Sequence, residues 1–443
     1  MAKARRWVLP ALLSGSFARG LAVLTSASVL QNLIVFAAAP VLARLFTPEA
    51  FGVAGLIQAL GALPVLIATG QYYLALGITR HRTEAANVAA LSLLLCPLLA
   101  LALLPPVLLL QADPGWLPES MRPAAAYLWT IPGFMVASGV LFVTRLWEIR
   151  HANYRSMVAS RLIESGGMAV SQIGFGLLAL GPLGLIVGRW LGAAAAALHG
   201  LRLLYRQIGR AGLRRIRLRR LSALARRHWR FPVYQLPANM LNELAQQLTP
   251  ILLAVLYTIE SVGFYWFATR LLERPAIVLG ENVGRVFYQH AADRRQAGER
   301  VSGLYWKTTA LLAIAGLVPF GLVIAFGPEL FAFVFGAEWE MAGHYARWIA
   351  LANFVMLIAF PARGATALFG LQGQFLAVEA VRATTSALAL VAVALADGDE
   401  LLAIAASAAV QSLIMLGFIT FVAIRLRQLD RASSAASGGP RSS

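Results

Sequence analysis

The sequence has little charge and a single cysteine. Charged residues make up 13% of the 443 residues, whereas hydrophobic residues make up 59%. A soluble domain carries about 25% charged residues, so this chain has too few of them to cover a folded domain of its length in water. The single cysteine, Cys96, excludes a disulfide within the chain and leaves no basis for a cysteine metal cluster. Lipid is the solvent that suits this composition.

The sequence also lacks the motifs of the common enzyme classes. It contains no GxxxxGK[ST] phosphate-binding loop, no HExxH zinc motif and no Cys/His cluster. Its six histidines are scattered, and no hydrophilic stretch is long enough to form a separate catalytic domain. We therefore expect a protein that is not an enzyme and that holds no metal or cofactor.

Twelve apolar segments are each long enough to cross a membrane, which takes about 20 residues as a helix. They are continuously apolar, whereas the strands of a membrane β-barrel alternate apolar and polar residues. The sequence therefore predicts an all-α polytopic membrane protein. The segments lie near residues 20–44, 51–78, 86–110, 124–146, 156–180, 183–205, 232–256, 262–285, 304–327, 344–370, 375–396 and 401–424.

The basic residues predict the orientation of these segments. If the N-terminus is cytoplasmic, 29 of the 38 lysines and arginines fall in inner loops and tails. The outer connections then hold only Arg44, Arg122 and Arg347. Because basic residues are enriched on the cytoplasmic side of membrane proteins, we expect both termini in the cytoplasm. The outer connections are acidic instead, with Glu49, Asp113, Glu119, Glu260, Glu329, Glu338, Glu340, Asp397, Asp399 and Glu400.

An arginine-rich stretch separates two groups of six segments. Eleven arginines lie between Arg202 and Arg230, which is typical of an amphipathic connector on anionic headgroups. Nucleic-acid binding is the rival interpretation, but no nucleic-acid-binding module is present, so we expect no such partner. The predicted parts are a cytoplasmic interfacial segment (1–19), an N-terminal six-helix bundle (20–205), the connector (206–231), a C-terminal six-helix bundle (232–425) and a disordered cytoplasmic tail (426–443).

A short motif occurs twice, once after the first segment and once after the seventh. Residues 45–52 and 256–263 both read Leu-aromatic-Thr-x-Glu-x-x-Gly, and upstream Asn32 and Pro40 correspond to Asn242 and Pro250. The spacing predicts a six-plus-six repeat. Six is an even number, so both halves have the same orientation and should be related by a pseudo-two-fold axis along the membrane normal. Transporters built this way bind substrate between their halves and alternate its access to the two sides.

The seventh segment is the most polar. Asn239, Asn242, Glu243 and Gln246 fall within a sector of about 100° on a helix. Such a stripe faces water or the other half, or it forms hydrogen bonds between helices, and for the amide residues both interpretations stay open. Glu243 has no basic residue in its own helix, which favours a cavity, where it would carry a coupling proton. Asn32 belongs to a weaker stripe in the first segment.

The eighth segment places Arg270 and Arg274 on one helical face near the middle of the bilayer. Ionisable groups at that depth are costly and usually face a cavity or a partner. Two guanidinium groups facing one cavity would bind a phosphate or diphosphate through bidentate hydrogen bonds. The alternative is an ion-pair network with Glu273 and Glu243. Arg363, in the tenth segment, has no acid close in sequence, and we assign it to the same cationic cavity.

Several separate stretches carry a family resemblance. They are LTS at 24–26 with PVLARLFTPEAFG at 40–52, FPVYQLP at 231–237, and GPELF at 327–331 with FGAEW at 335–339 and AG at 342–343. With these, the chain resembles the O-antigen and lipid-linked oligosaccharide flippases of polysaccharide biosynthesis, in the multidrug/oligosaccharidyl-lipid/polysaccharide exporter superfamily. The resemblance covers about residues 20–425.

The resemblance implies a fold, a substrate and partners. The fold is about twelve helices in two six-helix bundles around a central cationic cavity. The function is transfer of undecaprenyl-diphosphate-linked oligosaccharide from the cytoplasmic to the outer leaflet of the bacterial inner membrane. The partners are the anionic lipid-linked oligosaccharide, membrane lipids, a polysaccharide polymerase and other export components. Two alternatives stay open: a drug or metabolite antiporter of the same superfamily, and a scaffold of a glycan-assembly complex that transports nothing.

Overall fold

A computed structural model describes residues 15–213 and 216–437 of the chain. Every regular element in this range is a helix. Within this range, side chains are described except those of 15–27, 116, 211 and 432–437. The long helices are α1 (Gly15–Leu45), α2 (Pro48–Ile67), α3 (Arg82–Ala112), α4 (Thr130–Arg150), α5 (Tyr154–Leu177), α6 (Pro182–Leu213), α7 (Leu236–Leu256), α8 (Ile259–Gln296), α9 (Ser302–Phe335), α10a (Glu340–Ile358) with α10b (Phe360–Phe369), α11 (Gln372–Leu395) and α12 (Glu400–Ser437). These helices correspond one to one to the twelve predicted segments, which confirms the all-α polytopic fold.

The long helices differ in how apolar they are. In the described part of the chain, nine of them are long and apolar enough to cross a membrane. The other three are α5, α7 and α8, which are long enough but carry more charged or polar residues. These three helices are thus less apolar than the other nine.

The chain divides into two compact units, residues 1–247 and 248–443. Within the first unit, α4 packs against α2, α3 and α6, and α5 packs against α6. Within the second unit, α10a packs against α8, α9 and α12, and α11 packs against α12. Each of these pairs in the first unit has its counterpart six helices later, so this part of the internal packing follows the repeat that the sequence predicts.

The repeated motif forms the same local structure in both places. Thr47 precedes α2, and its hydroxyl oxygen accepts a hydrogen bond from the Ala50 backbone N–H at 3.2 Å. Thr258 precedes α8, and its hydroxyl accepts from the Ser261 backbone N–H at 3.2 Å. Both threonines therefore cap the N-terminus of the helix that follows, as Ser and Thr commonly do. The glutamate two residues later lies in the first helical turn, where a negative charge is favourable.

The third stretch of the resemblance is a packing motif between α9 and α10a. Gly327 and Gly343 face each other so closely that a Cβ on Gly327 would lie 2.6 Å from the Gly343 carbonyl oxygen. Small residues permit this backbone approach between membrane helices. Nearby, Trp339 is fully buried, and its ring lies 4.2 Å from that of Phe267 of α8. These residues hold the second unit together.

The arginine-rich connector is a docked helix. Its helical part, Leu218–Arg227, is called the connector helix below. Leu221 is buried, and Leu224 packs against a cluster that includes Val88 of α3 and Trp147 of α4. The sequence predicts an amphipathic connector on lipid headgroups, and in the structure the apolar side of the helix packs on the first unit. Only the basic side of the helix is left to meet solvent or headgroups.

Two boundaries differ from the sequence analysis. The first unit ends inside α7, after Gln247, whereas the C-terminal bundle was expected to begin at residue 232. At the C-terminus, α12 continues to Ser437, so residues 426–437 are helical and not a disordered tail. The expected tail residues 438–443, and residues 1–14 of the expected N-terminal segment, lie outside the described residues.

Candidate substrate site in the membrane helices

The two arginines of α8 lie in the first half of the helix, well past its start. Arg270 follows Ile259 by eleven residues, which at 1.5 Å per residue is roughly 16 Å along the helix. Arg270 is half-buried, and its guanidinium lies 5.6 Å from the centre of the Trp266 ring. Arg274, one turn further, is exposed on the protein surface. The helix continues past Pro275 without interruption.

Tyr265 connects α8 to the other polar residues of the second unit. Its hydroxyl hydrogen-bonds with Thr249 of α7, and the charges of Glu273 and Arg382 both act on it. Glu273 is half-buried and interacts electrostatically with Arg274. The structure therefore brings acidic and basic groups of α8 and α11 into one neighbourhood.

A single carboxylate in that neighbourhood binds two arginines. Arg363 of α10b donates to Oε1 of Glu379 at 2.9 Å, and Arg382 donates to Oε2 at 2.7 Å. Arg382 also donates to the Gln411 side chain of α12 at 2.9 Å. About a quarter of each charged side chain is exposed, between 22% and 24%. The group carries a net charge of +1 after pairing.

This arrangement corrects the expectation for Arg363. The sequence analysis treated it as an arginine without an acid, because none lies near it along the chain. Glu379 is sixteen residues away and reaches it from the neighbouring helix α11. The rings of Phe360 and Phe375 lie 5.4 and 5.6 Å from the Arg363 guanidinium, which adds cation–π contacts.

The predicted stripe of α7 is divided between different partners. The Asn239 amide donates to the Gln71 side chain at 3.2 Å and accepts from Gln235 at 3.0 Å. Glu243, half-buried, accepts from Gln247 at 2.8 Å. Asn239 thus serves a contact between helices, as one of the two open interpretations had it. The remaining candidates are Asn242 and Gln246, which are exposed, and Asn32 of α1, which is half-buried.

Sequence reasoning missed Gln71. Its side chain is fully buried and its backbone adopts a left-handed conformation, with φ +59°. It follows Gly70, also at positive φ, at the break between α2 and a short 3-10 helix, Tyr72–Gly77. Its amide group donates to the Leu66 carbonyl and accepts from Asn239. The signal in the sequence was the Thr-Gly-Gln run in an otherwise apolar segment.

A second polar group lies within the first unit, and its pairing also differs from expectation. Glu164 of α5 forms its ion pair with Arg145 of α4, and Arg161 donates to the Ser28 hydroxyl of α1. The i, i+3 spacing of Arg161 and Glu164 on α5 predicts a local ion pair between them. Partners on neighbouring helices replace that local pair, which ties α1 and α4 to α5.

A buried carboxylate completes this group. Glu148 of α4 is 1% exposed, and it accepts a hydrogen bond from the Ser156 hydroxyl at 2.8 Å. The same hydroxyl lies 3.1 Å from Nε2 of His199 on α6. Neither Glu148 nor His199 stands out in the sequence, because both lie toward the ends of apolar segments where polar residues are common.

Comparison with known protein families identifies the family to which the chain belongs. A family model described as "Polysaccharide biosynthesis protein" matches residues 41–343, which is more than half of the chain. The chain belongs to this family. The match confirms the resemblance to polysaccharide biosynthesis proteins that the sequence predicted.

The polysaccharide biosynthesis protein shares its fold with two kinds of transporter. The lipid II flippase MurJ, in an inward closed conformation, superimposes with a TM-score of 0.70 at 9% identity, over 90% of this chain and 87% of that chain. An inward-facing multidrug resistance MATE family transporter superimposes with a TM-score of 0.64 at 14% identity, over 90% and 96%. No curated protein sequence matches the chain. At these identities the likeness establishes the fold, and these relatives are themselves transporters.

Proposed function

We propose that this polysaccharide biosynthesis protein is a flippase. It moves undecaprenyl-diphosphate-linked oligosaccharide, an O-antigen or exopolysaccharide repeat unit, from the cytoplasmic to the outer leaflet by alternating access. It acts in the bacterial cytoplasmic membrane with both termini in the cytoplasm. Family membership and the fold shared with a lipid II flippase support this proposal.

One observation carries the choice of an anionic substrate. Away from their ends, the spans of the second unit hold four arginines, Arg270, Arg274, Arg363 and Arg382, and two glutamates, Glu273 and Glu379. Two positive charges therefore remain after complete pairing. Retaining a net positive charge at membrane depth is costly, and a diphosphate headgroup would offset that cost through bidentate hydrogen bonds to guanidinium groups.

The two alternatives predict a different charge pattern. A drug or metabolite antiporter that binds cations needs acidic groups in excess, whereas here the basic groups are in excess. A scaffold that transports nothing needs no charge at mid-membrane. A polysaccharide polymerase is a further partner that we propose for the flippase, since glycan units delivered to the outer leaflet must be joined there.

Paired substitutions on α8 test the proposed site. The double variant Arg270→Gln, Arg274→Gln should reduce glycan export by about 100-fold, because two charge-assisted hydrogen bonds are lost. Arg285→Gln is the matched control, since Arg285 lies on the same helix near its cytoplasmic end and pairs with Glu281 at an exposed position. The control should export normally and both proteins should accumulate in the membrane. Normal export by the double variant would exclude these arginines as the binding site.

A further inference from the structure

A pocket lies between the connector helix and the start of α3, within the first unit. Its volume is about 320 Å³, which is at the lower end of the range for small-molecule sites. The connector helix is fixed there by an ion pair of Arg227 with Glu84 at 3.0 Å and by a hydrogen bond from the Tyr72 hydroxyl to the Ala225 carbonyl at 3.4 Å. The pocket is therefore a product of docking the connector helix on the first unit.

The rim of the pocket is cationic. Arg220 and Arg227 line it, together with Thr83, His81 and Glu84. Glu84 is already paired with Arg227, whose guanidinium group retains further N–H donors at the exposed surface. Together, Arg220, Arg227 and Glu84 carry a net charge of +1, and guanidinium groups suit the binding of a phosphate group.

The inner wall of the pocket offers an unsatisfied acceptor. Asn87 lines the pocket and is 2% exposed. Its amide nitrogen donates to the Thr83 carbonyl at 2.8 Å, but no donor among the described residues reaches its Oδ1 atom. Buried polar atoms are nearly always hydrogen-bonded, so this oxygen requires a donor from beyond the described residues. A ligand hydroxyl group would supply one.

Exposed aromatic residues flank the connector helix. Trp229 and Tyr234 follow it, with ring centres 5.6 Å apart, and both are exposed, as is Tyr205 near the end of α6. Trp and Tyr are enriched where membrane proteins cross the headgroup region. Their position indicates that the pocket lies at the level of the lipid headgroups.

We propose that this pocket binds a phosphate ester that carries hydroxyl groups beside its phosphate. Arg220 and Arg227 bind the phosphate, and Asn87 accepts a hydrogen bond from a ligand hydroxyl. Two sources offer this chemistry: an anionic lipid headgroup such as that of phosphatidylglycerol, and a soluble ester such as glycerol 3-phosphate. The site is separate from the arginines of α8 and does not depend on the proposed transport function.

Native mass spectrometry of the full-length protein in detergent tests the proposal. Phosphatidylglycerol should remain bound at concentrations at which phosphatidylcholine, which has no headgroup hydroxyl and no net charge, dissociates. Arg220→Ala should weaken phosphatidylglycerol binding by about tenfold, the effect of losing a charge-assisted hydrogen bond. Arg226→Ala is the matched control, because Arg226 is exposed on the same helix but does not line the pocket. Its affinity should stay at the wild-type value.

A second variant and a competitor complete the test. Asn87→Leu should lower affinity for phosphatidylglycerol while leaving the weak binding of phosphatidylcholine unchanged. Competition by glycerol 3-phosphate would show that the pocket also accepts soluble esters, whereas its failure to compete would assign the pocket to lipid. Equal losses in Arg220→Ala and Arg226→Ala, or equal retention of the two lipids by the wild-type protein, would overturn the proposal.

Discussion

Glu379 occupies the centre of the charged group in the second unit. Its two carboxylate oxygens bind arginines from two different positions, Arg363 on α10b and Arg382 on its own helix. The i, i+3 pair with Arg382 is visible in the sequence, but the pair with Arg363 is not, because it depends on how two helices pack. Residue types and their depth were predictable at this scale, whereas the identity of each partner was not.

Removing that carboxylate should destabilise the protein more than removing either arginine. Glu379→Gln leaves two guanidinium groups without a counter-charge, and breaking a buried pair in this way costs about 3–5 kcal/mol. Arg382→Gln leaves Glu379 paired with Arg363 and should cost less. Thermal unfolding of the purified variants measures the difference. Equal melting temperatures for the two variants would contradict the shared-carboxylate arrangement.

Substitution of Glu243 tests whether this carboxylate carries a coupling proton. If it carries a coupling proton, Glu243→Gln should reduce export and remove its dependence on the pH gradient. The hydrogen bond with Gln247 can be retained by an amide at position 243, so folding should be preserved. Transport in proteoliposomes at several imposed pH gradients measures this. Wild-type rates and an unchanged response to the gradient would exclude Glu243 from coupling.

At the scale of single elements, the least apolar helices were the most informative. α5, α7 and α8 fall below the apolarity of the other nine, and they carry Arg161, Glu243 and Arg270 among the residues discussed above. Helix positions followed from hydrophobic run length, and the Thr47 and Thr258 caps marked the start of α2 and α8. The docking of the connector helix on the first unit could not be predicted from the sequence, because the same amphipathic pattern suits a membrane surface and a protein surface.

Close packing of α9 against α10a gives a prediction for glycine variants. Gly327→Ala places a methyl group 2.6 Å from the Gly343 carbonyl and should lower the melting temperature, although alanine is the better helix former by about 1 kcal/mol. Gly321→Ala, also on α9, is the control, since nothing lies within 4 Å of its Cβ position. The control should be as stable as wild type or more so. A loss of stability in both variants would contradict the packing explanation.

Docking of the connector helix should depend on pH through His228. Burial, reinforced by the charge of Arg227, lowers the pKa of His228, and the opposing effect of Glu84 is smaller. In acid, the undocked state therefore binds more protons at His228 than the docked state does. Docking should be complete above about pH 6.5, the ordinary histidine value, and should weaken as pH falls through the lowered pKa.

Hydrogen exchange in the connector helix, corrected for the intrinsic rate at each pH, measures this weakening. Protection should fall between neutral and mildly acidic pH in the wild-type protein. His228→Gln should remove that pH dependence, because the side chain no longer titrates. An identical pH dependence in the two proteins would contradict the role of His228.

For the whole molecule, the sequence repeat was the strongest guide. The motif at 45–52 and 256–263 predicted two similar halves, and the packing of α4 against α2 and α6 is matched by that of α10a against α8 and α12. The division inside α7 was not predictable, because apolar run length does not indicate which neighbours a helix has. The contact of Asn239 with Gln71 shows why the beginning of α7 belongs to the first unit.

The central claim is that arginines within the membrane helices bind an anionic lipid headgroup while it is transferred across the bilayer. The most direct measurement compares the initial translocation rate of a fluorescent undecaprenyl-diphosphate-linked sugar with that of a sugar on an uncharged polyprenyl carrier, in proteoliposomes of the purified protein. We predict rapid transfer of the diphosphate-linked sugar alone, and loss of that transfer in the Arg270→Gln, Arg274→Gln double variant. Equal rates for the two carriers, or an unchanged rate in the double variant, would contradict the account.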